Sequence, residues 1–113
     1  MHFNEDDLTL KIRIWVERDG KKLLGPGRVE LLEHIDRLGS ISAAARQMKM
    51  SYRRAWELVS DMNDVASKPL VELSTGGSGG GGATLTAYGK DAVIAYRRVA
   101  KRLAAAAIDR QQS

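Results

Sequence analysis

The chain has 113 residues, with 18 Lys and Arg against 14 Asp and Glu, a formal charge of +4 and no cysteine. That length supports one continuous core and leaves little room for a deep catalytic cleft, while the missing cysteines exclude disulfides, thiol nucleophiles and Cys-based zinc sites and fit a reducing cytoplasm. The positive balance admits nucleic acid or an anionic membrane surface; no apolar run approaches the roughly 18 residues of a membrane span, and the acidic, polar stretch Met1 to Asp7 is not a signal peptide, so a soluble cytoplasmic protein with no membrane partner is expected.

Leu8, Leu10, Ile12, Ile14 and Val16 alternate with Thr9, Lys11, Arg13, Trp15 and Glu17. Period two predicts a strand with one buried face. Asp19-Gly20 supplies the positive φ of a tight turn, Lys21 to Leu24 return, and Gly25-Pro26-Gly27 breaks the pattern. The hairpin therefore spans about residues 8–24. From Arg28 the period becomes helical: Val29, Leu31, Leu32, Ile35 and Leu38 share a stripe, with Gly39 at the C-terminal cap. Ser40 or Ser42 can cap a second helix (about 42–49), and Ser51 a third (51–65). A paired segment follows at about 70–87, and a last helix at about 88–108 ahead of a frayed tail, Asp109 to Ser113.

Ser42 to Asp61 is the informative stretch. Ala44 and Ala45 let two steeply crossing helices approach closely, and Met48, Met50, Ala55 and Leu58 are spaced to fill the angle between them. That is a helix-turn-helix pattern. On the third helix Ala55, Leu58, Val59 and Met62 fall on one side and Arg53, Arg54, Glu57, Ser60 and Asp61 on the other, so the exposed face is basic at its N-terminal end, the end a recognition helix presents to the bases. From Arg37 through Trp56 there are five basic residues and no acidic one. Trp56 is expected to pack; Tyr52, in the first turn, stands equally for core or DNA.

Six glycines lie within the seven residues Gly76 to Gly82. A linker between domains would leave only one strand and one helix behind it, too little to fold alone, so the tip of a β-hairpin is the better reading. After a helix-turn-helix such a hairpin is a wing, where glycine lets the backbone approach a sugar-phosphate rail, with peptide N–H groups, Thr75 and Ser78 as donors. No Gly-Lys-Ser/Thr closes the run, so it is not a P-loop. In the last helix Ala92, Tyr96, Val99, Leu103 and Ala106 recur at four- and three-residue spacing, a seam that either packs on its own domain or, as expected here, pairs two copies. No Glu or Asp cluster with metal-ligand spacing surrounds His2 or His34, so no metal site and no enzyme are expected.

Gly39-Ser40-Ile41-Ser42, Ser51-Tyr52-Arg53, Ala55-Trp56 and Met62-Asn63, with the segment Thr75 to Ala83 followed by Leu85-Thr86 and Tyr88-Gly89, give the chain its family likeness. It resembles the DNA-binding domain of ModE-type, molybdate-responsive transcription regulators, and the part from Gly39 to Arg46 also resembles LysR-type regulators. The resemblance implies the fold, a dimer and DNA binding. Full-length ModE-type regulators carry molybdate-binding modules after this domain, whereas here the sequence ends at Ser113; no cofactor and a separate effector-sensing protein are therefore the expectation. At Lys49 related turns usually have glycine, so Lys49 is expected at positive φ, at a cost of roughly 1 kcal/mol.

The expected fold is α+β: one winged helix-turn-helix domain over 1–113, with an N-terminal hairpin and a C-terminal dimerisation helix. Ser51, Tyr52 and Arg53 would read bases in double-stranded DNA. Ser40, Ser42, Arg46, Lys49 and the wing residues Thr75, Gly76, Gly77, Ser78 and Gly79 would hold phosphates, and Arg54 could do either. The expected operator is a palindrome read by a homodimer in a transcription regulator with a possible link to molybdenum metabolism. The alternatives are a protein-interaction module of the same fold and a small oxyanion-binding protein using the glycine loop as an anion nest.

Overall fold

The computed structural model describes residue 9, residues 11 to 74 and residues 82 to 112, with side chains placed up to residue 107. In chain order the elements are β1 (Val16–Arg18), β2 (Lys21–Leu24), α1 (Pro26–Leu38), α2 (Ile41–Gln47), α3 (Tyr52–Val65), β3 (Val71–Ser74), β4 (Gly82–Leu85) and α4 (Ala87–Gln112). This is a winged helix-turn-helix: α2 and α3 form the helix-turn-helix, the β3–β4 ribbon is the wing stem, and a second antiparallel ribbon, β1–β2, precedes α1. At the centre lie Val29, Leu31, Leu32, Ile35, Met62 and Leu70, all fully buried.

Several boundaries differ from the sequence expectation. Leu8 and Leu10 lie outside the described residues; among the described ones the period-two stretch pairs from Val16, opposite Leu24, to Arg18, opposite Lys21. The partner strand decides this: β2 ends at Leu24 and Pro26 already opens α1, so residues 11 to 15 have no ladder partner among the described residues. Ile12 is 43% exposed, and the Ile14 carbonyl instead accepts a hydrogen bond from the Tyr96 hydroxyl at 2.9 Å. Leu38, expected on the buried stripe of α1, is exposed in its last turn. Proline at the head of α1 is compatible with a helix start, because its missing N–H would have no intrahelical partner there, so α1 begins two residues before Arg28. The tail expected to fray is helical as far as Gln112.

The left-handed positions are those the turns require. Asp19 (φ 54°) and Gly20 (φ 76°) make the β1–β2 turn, the positive-φ pair that suits a two-residue hairpin. Lys49 adopts φ 55°, as its place in the helix-turn-helix predicts.

Val71, Ala83 and Leu85 of the wing stem are buried in the core against the helices, and polar contacts lock its two ends. The Asn63 amide oxygen accepts from the backbone N–H groups of Leu70 (2.8 Å) and Val71 (3.2 Å), and its nitrogen donates to the Val71 carbonyl (3.0 Å). One side chain thus satisfies the backbone where α3 turns into β3. Thr86 makes the second lock. Its backbone N–H donates to the Leu70 carbonyl (3.0 Å), its hydroxyl donates to the Pro69 carbonyl (2.7 Å), and the same hydroxyl accepts from Gly89 N–H (2.9 Å), capping α4. The Leu85-Thr86 and Tyr88-Gly89 pairs are therefore the joint between wing and last helix.

The middle of α4 is tied to α1 by an ion pair in which Arg97 Nε donates to Glu33 Oε2 at 3.0 Å. Hydrogen bonding from Arg97 holds the Glu33 carboxyl below its usual range, despite partial burial, which opposes the shift. A carboxyl depressed in the folded state contributes stability above its unfolded pKa and loses it as pH falls through the lower folded value. Both side chains are more than one-third exposed, so solvent screening limits the contribution to less than about 1 kcal/mol. Glu33→Gln should lower the melting temperature slightly at neutral pH. The two melting curves should converge as pH falls below the carboxylate range; a difference unchanged from pH 7 to pH 3 would contradict the assignment.

Candidate nucleic-acid interface

The helix-turn-helix is set by two serine caps and a tight turn. Ser40 Oγ accepts from Ala43 N–H at 3.0 Å and Ser51 Oγ from Arg54 N–H at 3.0 Å, so each satisfies an orphan donor at a helix start. Between the helices Met50 N–H reaches back to the Ala45 carbonyl at 3.0 Å. Ala44, Ala45 and Ala55 are buried at the crossing, and Met48, Met50 and Leu58 pack partly against the core. Small side chains at the crossing permit close approach, and the larger ones close its rim.

This frame exposes the first turn of α3. Tyr52 is 55% exposed. The Arg53 side chain is 89% exposed and meets only Glu57, one turn on, at 3.2 Å. Arg54 extends to a different flank from Tyr52, since two residues at about 100° each carry it roughly 200° around the helix. Trp56, expected to pack, is 45% exposed: its position at the edge of the apolar arc leaves the ring outside the closed core. On α2 the Arg46 guanidinium donates to Ser42 Oγ at 3.1 Å, both exposed, and Lys49 is exposed in the turn.

The wing stem stands beside this surface. Its register pairs Val71 with Leu85, Glu72 with Thr84, Leu73 with Ala83 and Ser74 with Gly82. Ser42, Tyr52 and Ser74 line one cleft of about 200 Å³, with Ile41, Leu73 and Gly82. The stem is seated on the α1 cap: Ala83 N–H donates to the Gly39 carbonyl at 2.9 Å, and a Cβ on Gly82 would lie 3.2 Å from that same oxygen. Thr75, Gly76, Gly77, Ser78 and Gly79, the expected phosphate donors of the tip, lie outside the described residues.

The structure thus brings Ser42 and Tyr52 to one cleft with the wing stem, with Arg46 bonded to Ser42; Lys49 and Arg53 are exposed in the turn and in the first turn of α3, while Ser40 and Ser51 have their hydroxyls engaged as caps. The seam expected on α4 divides. Tyr96 is buried in the chain's own core and Ala92 packs partly against it; Val99 (48%), Leu103 (45%) and Ala106 are exposed. Sequence reasoning assigned no role to Asn63, which anchors the stem. Its neighbours on α3 give no periodic signal for an amide, and the partners lie seven and eight residues on in the chain. Among the described residues no group of three His, Cys, Asp or Glu could hold a metal, and no helix is long and apolar enough to cross a membrane.

Similarity to known proteins falls on these same elements. Over 94 residues the chain is 42% identical to the DNA-binding transcriptional dual regulator ModE of Escherichia coli (strain K12), covering 83% of this chain and 34% of that one. Over 91 residues it is 44% identical to the molybdenum-pterin-binding protein MopB of Rhodobacter capsulatus, covering 80% and 33%. Over 85 residues it is 42% identical to the molybdenum transport protein ModE of Azotobacter vinelandii, covering 75% and 32%. The chain spans about a third of the length of these relatives. Residues 27–90, from the first turn of α1 through the helix-turn-helix and wing into α4, match the family described as bacterial regulatory helix-turn-helix protein, lysR family. With more than half of its length in that match, the chain belongs to the lysR family of bacterial regulatory helix-turn-helix proteins.

Proposed function

We propose that this chain binds double-stranded DNA as a homodimer and regulates transcription from a palindromic operator, in a cytoplasmic pathway linked to molybdenum metabolism. One observation carries the DNA reading: the first turn of α3 presents Tyr52 and Arg53 to solvent, with Tyr52 beside the wing stem. Arg53 is the base reader, because an extended guanidinium at the N-terminal end of a recognition helix can pair with a guanine edge through two hydrogen bonds. It leaves Glu57 to do so. Arg46, Lys49 and the wing hold phosphates and set the register. The molybdenum link rests on the names of the relatives.

Selection of bound fragments from genomic DNA tests the reading, followed by titration of the selected site with salt. Affinity should fall steeply with salt, because each neutralised phosphate releases counterions. A protein-docking module would select no common sequence and show no such slope. On the selected site Arg53→Ala should cost roughly 1–3 kcal/mol and relax preference at one base position; binding and preference that both survive would remove Arg53 from recognition.

A further inference from the structure

On the flank of α3 away from the wing lies a larger pocket, about 360 Å³, between the β1–β2 ribbon and the first turns of α1 and α3. Arg13, Lys22, Arg28 and Arg54 line it, with the Trp15 ring at one side. No acidic residue does. Arg28 is already engaged, by Asp61 at 2.8 Å and the Lys22 carbonyl at 3.1 Å. The side chains of Arg13, Lys22 and Arg54 have no ion pair among the described residues. Lys22 Nζ stands 5.6 Å from the centre of the Trp15 ring, a cation–π distance that steadies the ammonium without neutralising it. Trp15 is itself seated on bare backbone, since a Cβ on Gly25 would lie 2.9 Å from the indole Cδ1. Three cations with no ion pair among the described residues thus line one opening, beside an aromatic ring seated on Gly25.

We propose that this pocket receives a phosphodiester of the DNA backbone, on the rail opposite the one the wing faces. The inference rests on α3 entering the major groove. A helix about 10–12 Å across fills a groove about 12 Å wide, so both of its flanks lie against sugar-phosphate rails. Tyr52 and the wing stem occupy one flank, and Arg54 with the pocket the other. A chain of phosphates, each with charge and acceptor oxygens facing outward, matches cations spread around an open rim better than a single small anion does. The segment from Arg13 to Lys22, which leads into and through the β1–β2 turn, then acts as a second clamp, and its contacts are independent of base identity.

Arg13→Ala with Lys22→Ala tests this, since both residues are exposed and neither is in the helix-turn-helix. Circular dichroism should show an unchanged fold. On the selected operator the slope of log K against log salt should become shallower by about 1.8, twice the roughly 0.9 per phosphate contact of duplex DNA. Affinity should fall at least tenfold, equally for operator and unrelated DNA, and backbone protection should shrink on the side away from the wing. An unchanged slope with wild-type operator binding intact overturns the pocket alone. Loss of inorganic phosphate binding with an unchanged DNA slope overturns it too, in favour of a small-anion site. A wild-type protein without affinity for any DNA overturns both the pocket and the reading beneath it.

Discussion

Gly89→Ala should destabilise the protein by about 3 kcal/mol, at the upper end of what overpacking a closed interior costs. A Cβ built on Gly89 would stand 2.2 Å from the Leu70 carbonyl oxygen, 3.0 Å from its carbonyl carbon and 3.2 Å from its Cα. All three are backbone atoms, so no side chain can rotate away. Leu70 itself is held by Asn63 and Thr86, so relief requires α4 to lift off the wing stem. That movement would stretch the Thr86 cap and withdraw Tyr96 from the core. Gly27→Ala is the matched control: nothing lies within 4 Å of its Cβ position, and alanine in the first turn of α1 should be neutral or stabilise by about 0.4–1 kcal/mol through the unfolded chain. Urea midpoints for the two variants should therefore move apart. Equal midpoints would mean that α4 does not rest on Leu70.

Val99→Asp combined with Leu103→Asp should give a folded monomer that binds its operator at least a hundredfold more weakly. Both side chains are nearly half exposed in the single chain, so the charges remove nothing from the core. Beyond Tyr96 the α4 face carries Val99, Leu103 and Ala106, an apolar line with small residues that suits close pairing with a second copy. One recognition helix reads only a few bases, too few to select a site in a genome. A twofold pair places two such helices about 34–36 Å apart on one side of the duplex, and coupling them multiplies affinity by roughly 10²–10⁴. Sedimentation should show a dimer for the wild type and a monomer for the variant. A wild-type monomer at every concentration sinks the dimer. A dimer that survives both substitutions moves the interface to the N-terminal ribbon and the segment before it, where Ile12, Trp15 and Val16 are exposed; that would occlude the basic pocket as well.

The sequence by itself determined what depends on neighbours along the chain. The helical period from Val29 to Ile35, the small residues at 44, 45 and 55 and the serines at 40 and 51 are local signals, and α1, the helix-turn-helix and its caps follow from them. The positive φ of Lys49 follows instead from the family resemblance, because related turns usually have glycine there. What only the tertiary structure decided depends on partners distant in sequence. The alternation from residue 8 to residue 16 is strand-like, yet strand formation needs a partner, and Pro26 ends β2 before one is available. Tyr96 and Leu103 occupy equivalent positions on one helix seam, but the domain body covers only the first, so the same pattern is core at one end and free surface at the other. Periodicity fixes which residues share a face and carries no information about how far along a helix the rest of the fold extends. The basic pocket is the extreme case: Arg13, Lys22 and Arg54 span 42 positions of sequence, and only the packing of the β1–β2 ribbon against α3 makes them one site.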